Sequence, residues 1–340
     1  MNIDKYLDII SACRFCFMCR HLSANGLATG RECDTPRSHA LIADLVRMDK
    51  ANLANPDYIR TIYESDLSGA NRRHCRGYHA DTNCYDEIGL QLALRRDIVE
   101  AGLAPAEINA IAEQLKDVAF TVKGTADVLY YRHPCVDRHT PEAADAFARL
   151  APNAAVIEGG DCGTALDILG FAQDAQAVAA KFLAAVKAAN CKTLVIPHPG
   201  AYHFVKQNFA GQGFDIITSA DYLKGLAPKA AKSGKVVFID SDFLSNYESC
   251  NAPRELLAAA GYQVEDFGTN PEESYACGEG AMVQMLYAPT IAKALVERVA
   301  RFAKAYYDGQ TIVVAAPYTK AVISRFAPEL KVITVEEAIA

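Results

Sequence analysis

From about residue 118 onward the chain alternates between short runs rich in β-branched and aromatic residues and longer Ala-rich stretches with helical spacing. The apolar runs are DVLYY, AAVIEG, TLVIPH, FDIIT, VVFID, QVEDF, TIVVAAP and KVITV. Short apolar runs separated by helical segments predict βα repeats around mostly parallel sheets, whose strands are covered on both faces. Residues 1 to about 105 read differently. SHALIADLVRM and EIGLQLALRRDIVEAG carry helical periodicity there, and no stretch has the pattern of a strand.

The second part also repeats itself, a sign that one supersecondary unit has been used twice. Cys162-Gly163 opens a helix-rich stretch that runs into TLVIPHPGAY, and Cys277-Gly278 opens one that runs into TIVVAAPYTK. Cys162 precedes Pro199 by 37 positions and Cys277 precedes Pro317 by 40. Three units follow: a helical one over 1–112, a first α/β one over 113–230 and a second over 231–340, joined near the polar stretch AAKSGK.

Composition narrows the class of function. The 340 residues carry a net charge of -7 with a pI near 5.7, which argues against nucleic acid as a partner because phosphate binding needs a basic surplus. The first residues, MNIDKYLDIISACRFC, lack the basic and apolar regions of a secretory signal. No apolar run has membrane-spanning length. Eleven cysteines, an odd number, in a chain with no export signal point to cytoplasmic metal chemistry rather than to a disulfide framework.

The chemistry concentrates near the start. Cys13-Arg-Phe-Cys16-Phe-Met-Cys19 is a C-x2-C-x2-C run, a spacing at which three thiolates converge on three irons of one cubane. In two-cluster ferredoxins such a run goes on to a fourth cysteine that serves the other cluster, and the first cluster takes the last cysteine of a second run. Here the fourth position is Ser23, and the second run ends on Cys84, ahead of ALRRDIVEAGLAP. Counting back from Cys84 at the same spacing lands on Ala80, Gly77 and His74, none of them a thiol. One [4Fe-4S] cluster on Cys13, Cys16, Cys19 and Cys84 is therefore expected. Cys75 stands in for Cys84 if the second run is shifted, and Ser23, His74 and Cys75 are what a second cluster would have to draw on. Zinc is the competing metal, although its sites favour paired C-x2-C units. Arg14, Arg20, Arg31, Arg37, Arg72, Arg73 and Arg76 crowd these segments. They read as cations that raise the potential of an anionic cluster, as a face for an acidic partner, or as solvated charge.

Taken together, CRFCFMC, TPRSHAL, NCYDEIGLQLALRRDIVEAGLAP, GGDCGTALDILGF, CNAPRELL and ACGEGA give a chain that resembles the cysteine-rich (CCG) domain iron-sulfur oxidoreductases over nearly its whole length. That family includes iron-sulfur subunits of glycolate oxidase, lactate-utilisation proteins and heterodisulfide reductase. The resemblance implies a helical ferredoxin-like domain followed by two repeated Rossmann-like α/β domains bearing CCG motifs.

The family's thiols are thinned out here. In the first α/β half a leading Cys, CCG and C-P-G-C are matched by Cys135, Asp161-Cys162-Gly163 and His198-Pro199-Gly200-Ala201. In the second, the matching positions hold Ser241, Ala276-Cys277-Gly278 and Pro317-Tyr318-Thr319-Lys320. Non-cubane clusters that cleave disulfides need those soft ligands. What the resemblance then implies is an electron-transfer subunit. It would relay electrons between a separate FAD-binding dehydrogenase, acting on a small 2-hydroxy acid or similar substrate, and a downstream acceptor. A scaffold subunit of a redox complex is one alternative. A heterodisulfide-reductase-like enzyme with a residual metal site on Cys135, Cys162 and His198 is another, against which Cys162 and Cys277 read as small residues packed at strand-to-helix turns.

Overall fold

The computed structural model describes residues 1–13, 16–72, 74–75, 85–226 and 233–340. The N-terminal part is helical and, among its described residues up to 105, contains no strand. Thr35 enters the helix Pro36–Met48 in extended backbone, and Pro36 takes the first turn, where its missing N–H leaves nothing unpaired. The helix Glu87–Glu100 is buried on almost every side in spite of its charges. Its Asp97 accepts from the backbone N–H groups of Asn2 (2.6 Å) and Ile3 (3.1 Å), which pins the start of the chain. Next to it Arg95 is fully buried and donates to the carbonyls of Ile62 (3.0 Å), Tyr63 (3.3 Å), Ser65 (3.2 Å) and Ile168 (3.1 Å).

Two sheets follow. The first contains β1 (Thr121–Lys123), β2 (Val128–Tyr131), β3 (Ala155–Glu158), β4 (Thr193–Ile196) and β5 (Asp215–Thr218) in the order β1-β3-β2-β4-β5. β1 is antiparallel to β3 and the other neighbours are parallel. The second contains β6 (Gly234–Ile239), β7 (Tyr262–Asp266), β8 (Ile312–Val314) and β9 (Val332–Thr334) in the order β7-β6-β8-β9, all parallel. The four parallel strands of each sheet thus share one order, second-first-third-fourth. Their central strands are covered on both faces, as Leu194 to Ile196 and Val237 to Ile239 are fully buried.

β2 to β9 coincide with the eight apolar runs. β1 has no counterpart among them, because three residues of mostly exposed Thr-Val-Lys carry no apolar run. The boundary expected at 112/113 falls inside the helix Ala106–Lys116, and the one at 230/231 lies outside the described residues. No helix among the described residues is long and apolar enough to cross a membrane.

Candidate functional site

The cysteine run extends from Cys13, which ends the helix Leu7–Ala12, to Cys19, within the short helical turn Met18–His21. Cys13, Cys16 and Cys19 line one cavity of about 90 Å³ together with Cys75, Met18, Tyr85, Arg37 and His74. The space is several times the ~10–15 Å³ a single water needs. Four thiols, soft ligands for iron or zinc, therefore face one space. Cys84 lies outside the described residues, as do Arg14, Arg73 and Arg76, so the thiol from the second segment that the structure brings to the cavity is Cys75.

Cys16 is exposed, and Phe17 and Met18 beside it are 64% and 59% exposed, so the loop sits at the surface. Arg37 stacks its guanidinium 4.4 Å from the Phe17 ring centroid. Burial pushes the Cys19 thiol up to about 12, against the pull of the Arg37 backbone N–H, and Glu87, Cys13 and Cys16 push it further. A thiol in that state binds a metal only on losing its proton, so loading here releases protons. The remaining described arginines are largely paired: Arg20 with Glu32 (3.8 Å), and Arg31 with Asp34 (2.8 Å) and with Glu64.

The segment that carries Cys75 is held by the second sheet's half of the chain. Gln284 donates to the Glu64 carbonyl (2.8 Å) and Asn246 to that of Ser68 (2.7 Å). Arg72 donates to the Asn246 carbonyl (2.5 Å) and lies over the Tyr247 ring, while His74 pairs with Glu272 (2.6 Å). Gly280 approaches the backbone of Asp66 and Leu67 so closely that any Cβ would collide with it.

Ser23 is taken up by local structure. Its Oγ accepts from the Gly26 N–H (3.0 Å), capping the helix Ala24–Thr29, and donates to the Asp34 carbonyl (2.8 Å). Ser23 also borders a second, smaller cavity of about 10 Å³ lined by Asp34, His39, Asp66, Ser68, Asn71, Glu87 and Gln91. Position 23 is where the resemblance puts a ligand of a second cluster. The described residues lining that small cavity include no thiol, so they do not fit one.

At the ends of the first sheet's strands, Cys135, Cys162 and His198 do not form one site. Cys162 is fully buried in the core of the first sheet's half, its Sγ 3.2 Å from the Thr164 hydroxyl. Cys135 packs against the core of the other half, near Tyr318 and Cys277. His198 stacks on His133 with centroids 4.6 Å apart, and both of its buried ring nitrogens lack a partner. Burial drives its pKa well below the usual histidine value, so the ring is neutral.

His133 and Asp161, not singled out from the sequence, pair at 3.0 Å through Nε2, while the Cys135 N–H donates to His133 Nδ1 (3.2 Å). That assigns the ring's proton to Nε2. The signal was present, since Asp161 stands where the family pattern has a thiol. Gly163 and Gly278 both adopt positive φ (108° and 86°) where these turns enter helical structure. In the second half, Ser241 donates to Glu279 Oε1 (2.6 Å) and the Asp242 N–H to Oε2 (2.6 Å), so a carboxylate caps the helix Asp242–Tyr247. Among the described residues no three His, Cys, Asp or Glu side chains, those around the cysteine cavity included, come close enough to hold a single metal ion. The chain matches no protein-family model, no curated protein and no solved structure.

Proposed function

We propose that this chain is an iron-sulfur electron-transfer subunit. It carries one [4Fe-4S] cluster on Cys13, Cys16, Cys19 and a fourth thiol from the segment 75–84, either Cys84 or Cys75. The observation that supports this reading is the cavity of about 90 Å³ with thiols on several sides of it. The cluster would supply one-electron transfer, and the chain's own residues do the rest. Half-buried Cys13 and Cys75 anchor the site against the helical core, while exposed Cys16, Phe17 and Met18 bring its outer face to where a partner docks.

The partner in this reading is an FAD-binding dehydrogenase acting on a small 2-hydroxy acid or similar substrate. The helical part acts as a ferredoxin-like domain, and the shared strand order of the two sheets reflects a duplicated Rossmann-like unit. The deciding experiment is iron and acid-labile sulfide per chain on anaerobically prepared protein, comparing wild type with Cys75→Ala and Cys84→Ala. About four of each in the wild type, lost in one variant, identifies the fourth ligand. Zinc without sulfide would overturn the reading.

A further inference from the structure

The small cavity behind the cysteine site is built of polar side chains whose hydrogen bonds are incomplete. Asp66 is 6% exposed, and its Oδ1 accepts from both the backbone N–H (3.3 Å) and the hydroxyl (3.1 Å) of Ser68. Its Oδ2 has no partner. The same holds for Asn71 Oδ1, Gln91 Oε1 and His39 Nε2, all deeply buried around the same space of about 10 Å³. That is room for about one water, whose two O–H groups can reach two of these acceptors at a time, so a proton on Asp66 would remove one competing acceptor. Leu22, Pro36 and Asn71 line this cavity and the cysteine cavity alike, so the two lie back to back.

We propose that this cavity is a proton site coupled to the cysteine centre, in which Asp66 takes up a proton, through a water held by Asn71, Gln91 and His39, when the centre takes up an electron. This rests on the electron-transfer reading above. The step balances as follows: the centre gains one electron from a one-electron reductant, a reduced flavin or dithionite. The Asp66 carboxylate gains one proton from solvent, so that no net charge is added to the buried region.

The charges that face Asp66 favour such a role. Glu87 on the helix Glu87–Glu100 opposes its ionisation and His39 on the helix Pro36–Met48 favours it, but burial dominates and lifts the carboxyl to about 6. From the second sheet's half, Asp242, Cys277 and Tyr287 also lie within its electrostatic reach. Across the shared cavity Asp34 is held by Arg31, and Glu87 is committed to His39 (2.7 Å) and Gln91 (2.6 Å). Asp66 is left as the carboxylate there with an unpaired oxygen.

The test is the midpoint potential of the anaerobically prepared full chain from pH 5 to 9, with proton uptake on reduction followed by a pH indicator. One proton per electron makes the reduction equilibrium change tenfold per pH unit, about 59 mV for a one-electron couple. That slope is expected above about pH 6, flattening below it, with its loss in Asp66→Asn. Ser68→Ala keeps the carboxyl and the backbone N–H that donates to it but removes the hydroxyl contact, and is expected to move the break to higher pH. A loaded centre with a potential flat across the range, or a slope retained in Asp66→Asn, overturns the proton coupling alone. A chain with no reducible iron-sulfur centre overturns the electron-transfer reading and this proposal with it.

Discussion

Replacing Arg95 with Met is the perturbation whose cost the structure defines best. The guanidinium has no solvent exposure and is hydrogen-bonded to carbonyls, at Ile62, Tyr63, Ser65 and Ile168, with its charge also 5.2 Å from the Tyr63 ring centroid. Three of those carbonyls end the helix Pro56–Glu64 or follow it, and the fourth lies in the last turn of Thr164–Leu169, so the cation sits where two helix dipoles are negative. Met keeps the apolar stem but removes every donor. Each orphaned buried acceptor costs about 1–3 kcal/mol, and the loss is partly offset because a buried charge is no longer desolvated. A net loss of about 3–5 kcal/mol follows by analogy with breaking a buried charged pair. At this chain length roughly 1.4 °C of Tm accompanies each kcal/mol, so the Tm followed by circular dichroism should fall by roughly 4–7 °C. Arg95→Lys, which retains a charge and three donors, should lose about half as much. A Tm for Arg95→Met within about 2 °C of wild type would refute the reasoning, because it would mean that the carbonyls find other partners at no cost.

Glu279 makes stability depend on pH. Burial lifts its carboxyl from 4.5 to about 7, so the folded chain holds a proton that the unfolded chain has released. Stability from this group is complete below pH 4.5 and drains away as pH rises to about 7. Urea unfolding of wild type minus Glu279→Gln should show a fall of about 2–3 kcal/mol across that window, and a difference that does not change with pH would contradict it. Gly163→Ala should lower the urea midpoint by the equivalent of about 2 kcal/mol or more, since a Cβ at φ 108° would meet the Ala175 carbonyl oxygen at 2.5 Å. Gly211→Ala, with φ 79° and open space, should lose only about 1 kcal/mol and serves as its control.

The strands were legible because a buried parallel strand leaves no choice of residue: TLVI and VVFI have to be apolar on both faces. That Cys13, Cys16 and Cys19 would face one space was legible for a similar reason, as their short spacing keeps them on neighbouring turns. The placement of Cys75 at the same cavity was not. Cys75 reaches the cavity through contacts made by Asn246, Glu272 and Gln284, which lie some two hundred residues along the chain, and no local pattern encodes them. Arg95 and Asp97 were hidden by the same rule that usually helps, since charges within EIGLQLALRRDIVE read as a solvent face until the helix is seen to be enclosed. Neither His133 nor Glu279 stands in a local pattern that marks it. In both cases the side chain gains its role from a partner on another element, Asp161 for the one and Ser241 for the other.

The grip of residues 246, 272 and 284 on the segment 64–75 also has a meaning in time. Synthesis delivers Cys13, Cys16 and Cys19 first and Cys75 soon after, but the side chains that hold the Cys75 segment lie 178 and 220 positions beyond their partners in it and are made much later. A nascent chain halted before residue 246 already has Cys13, Cys16, Cys19 and Cys75 but none of the three contacts that hold the segment of the last. The geometry of that cavity is thus set by residues made long after its thiols.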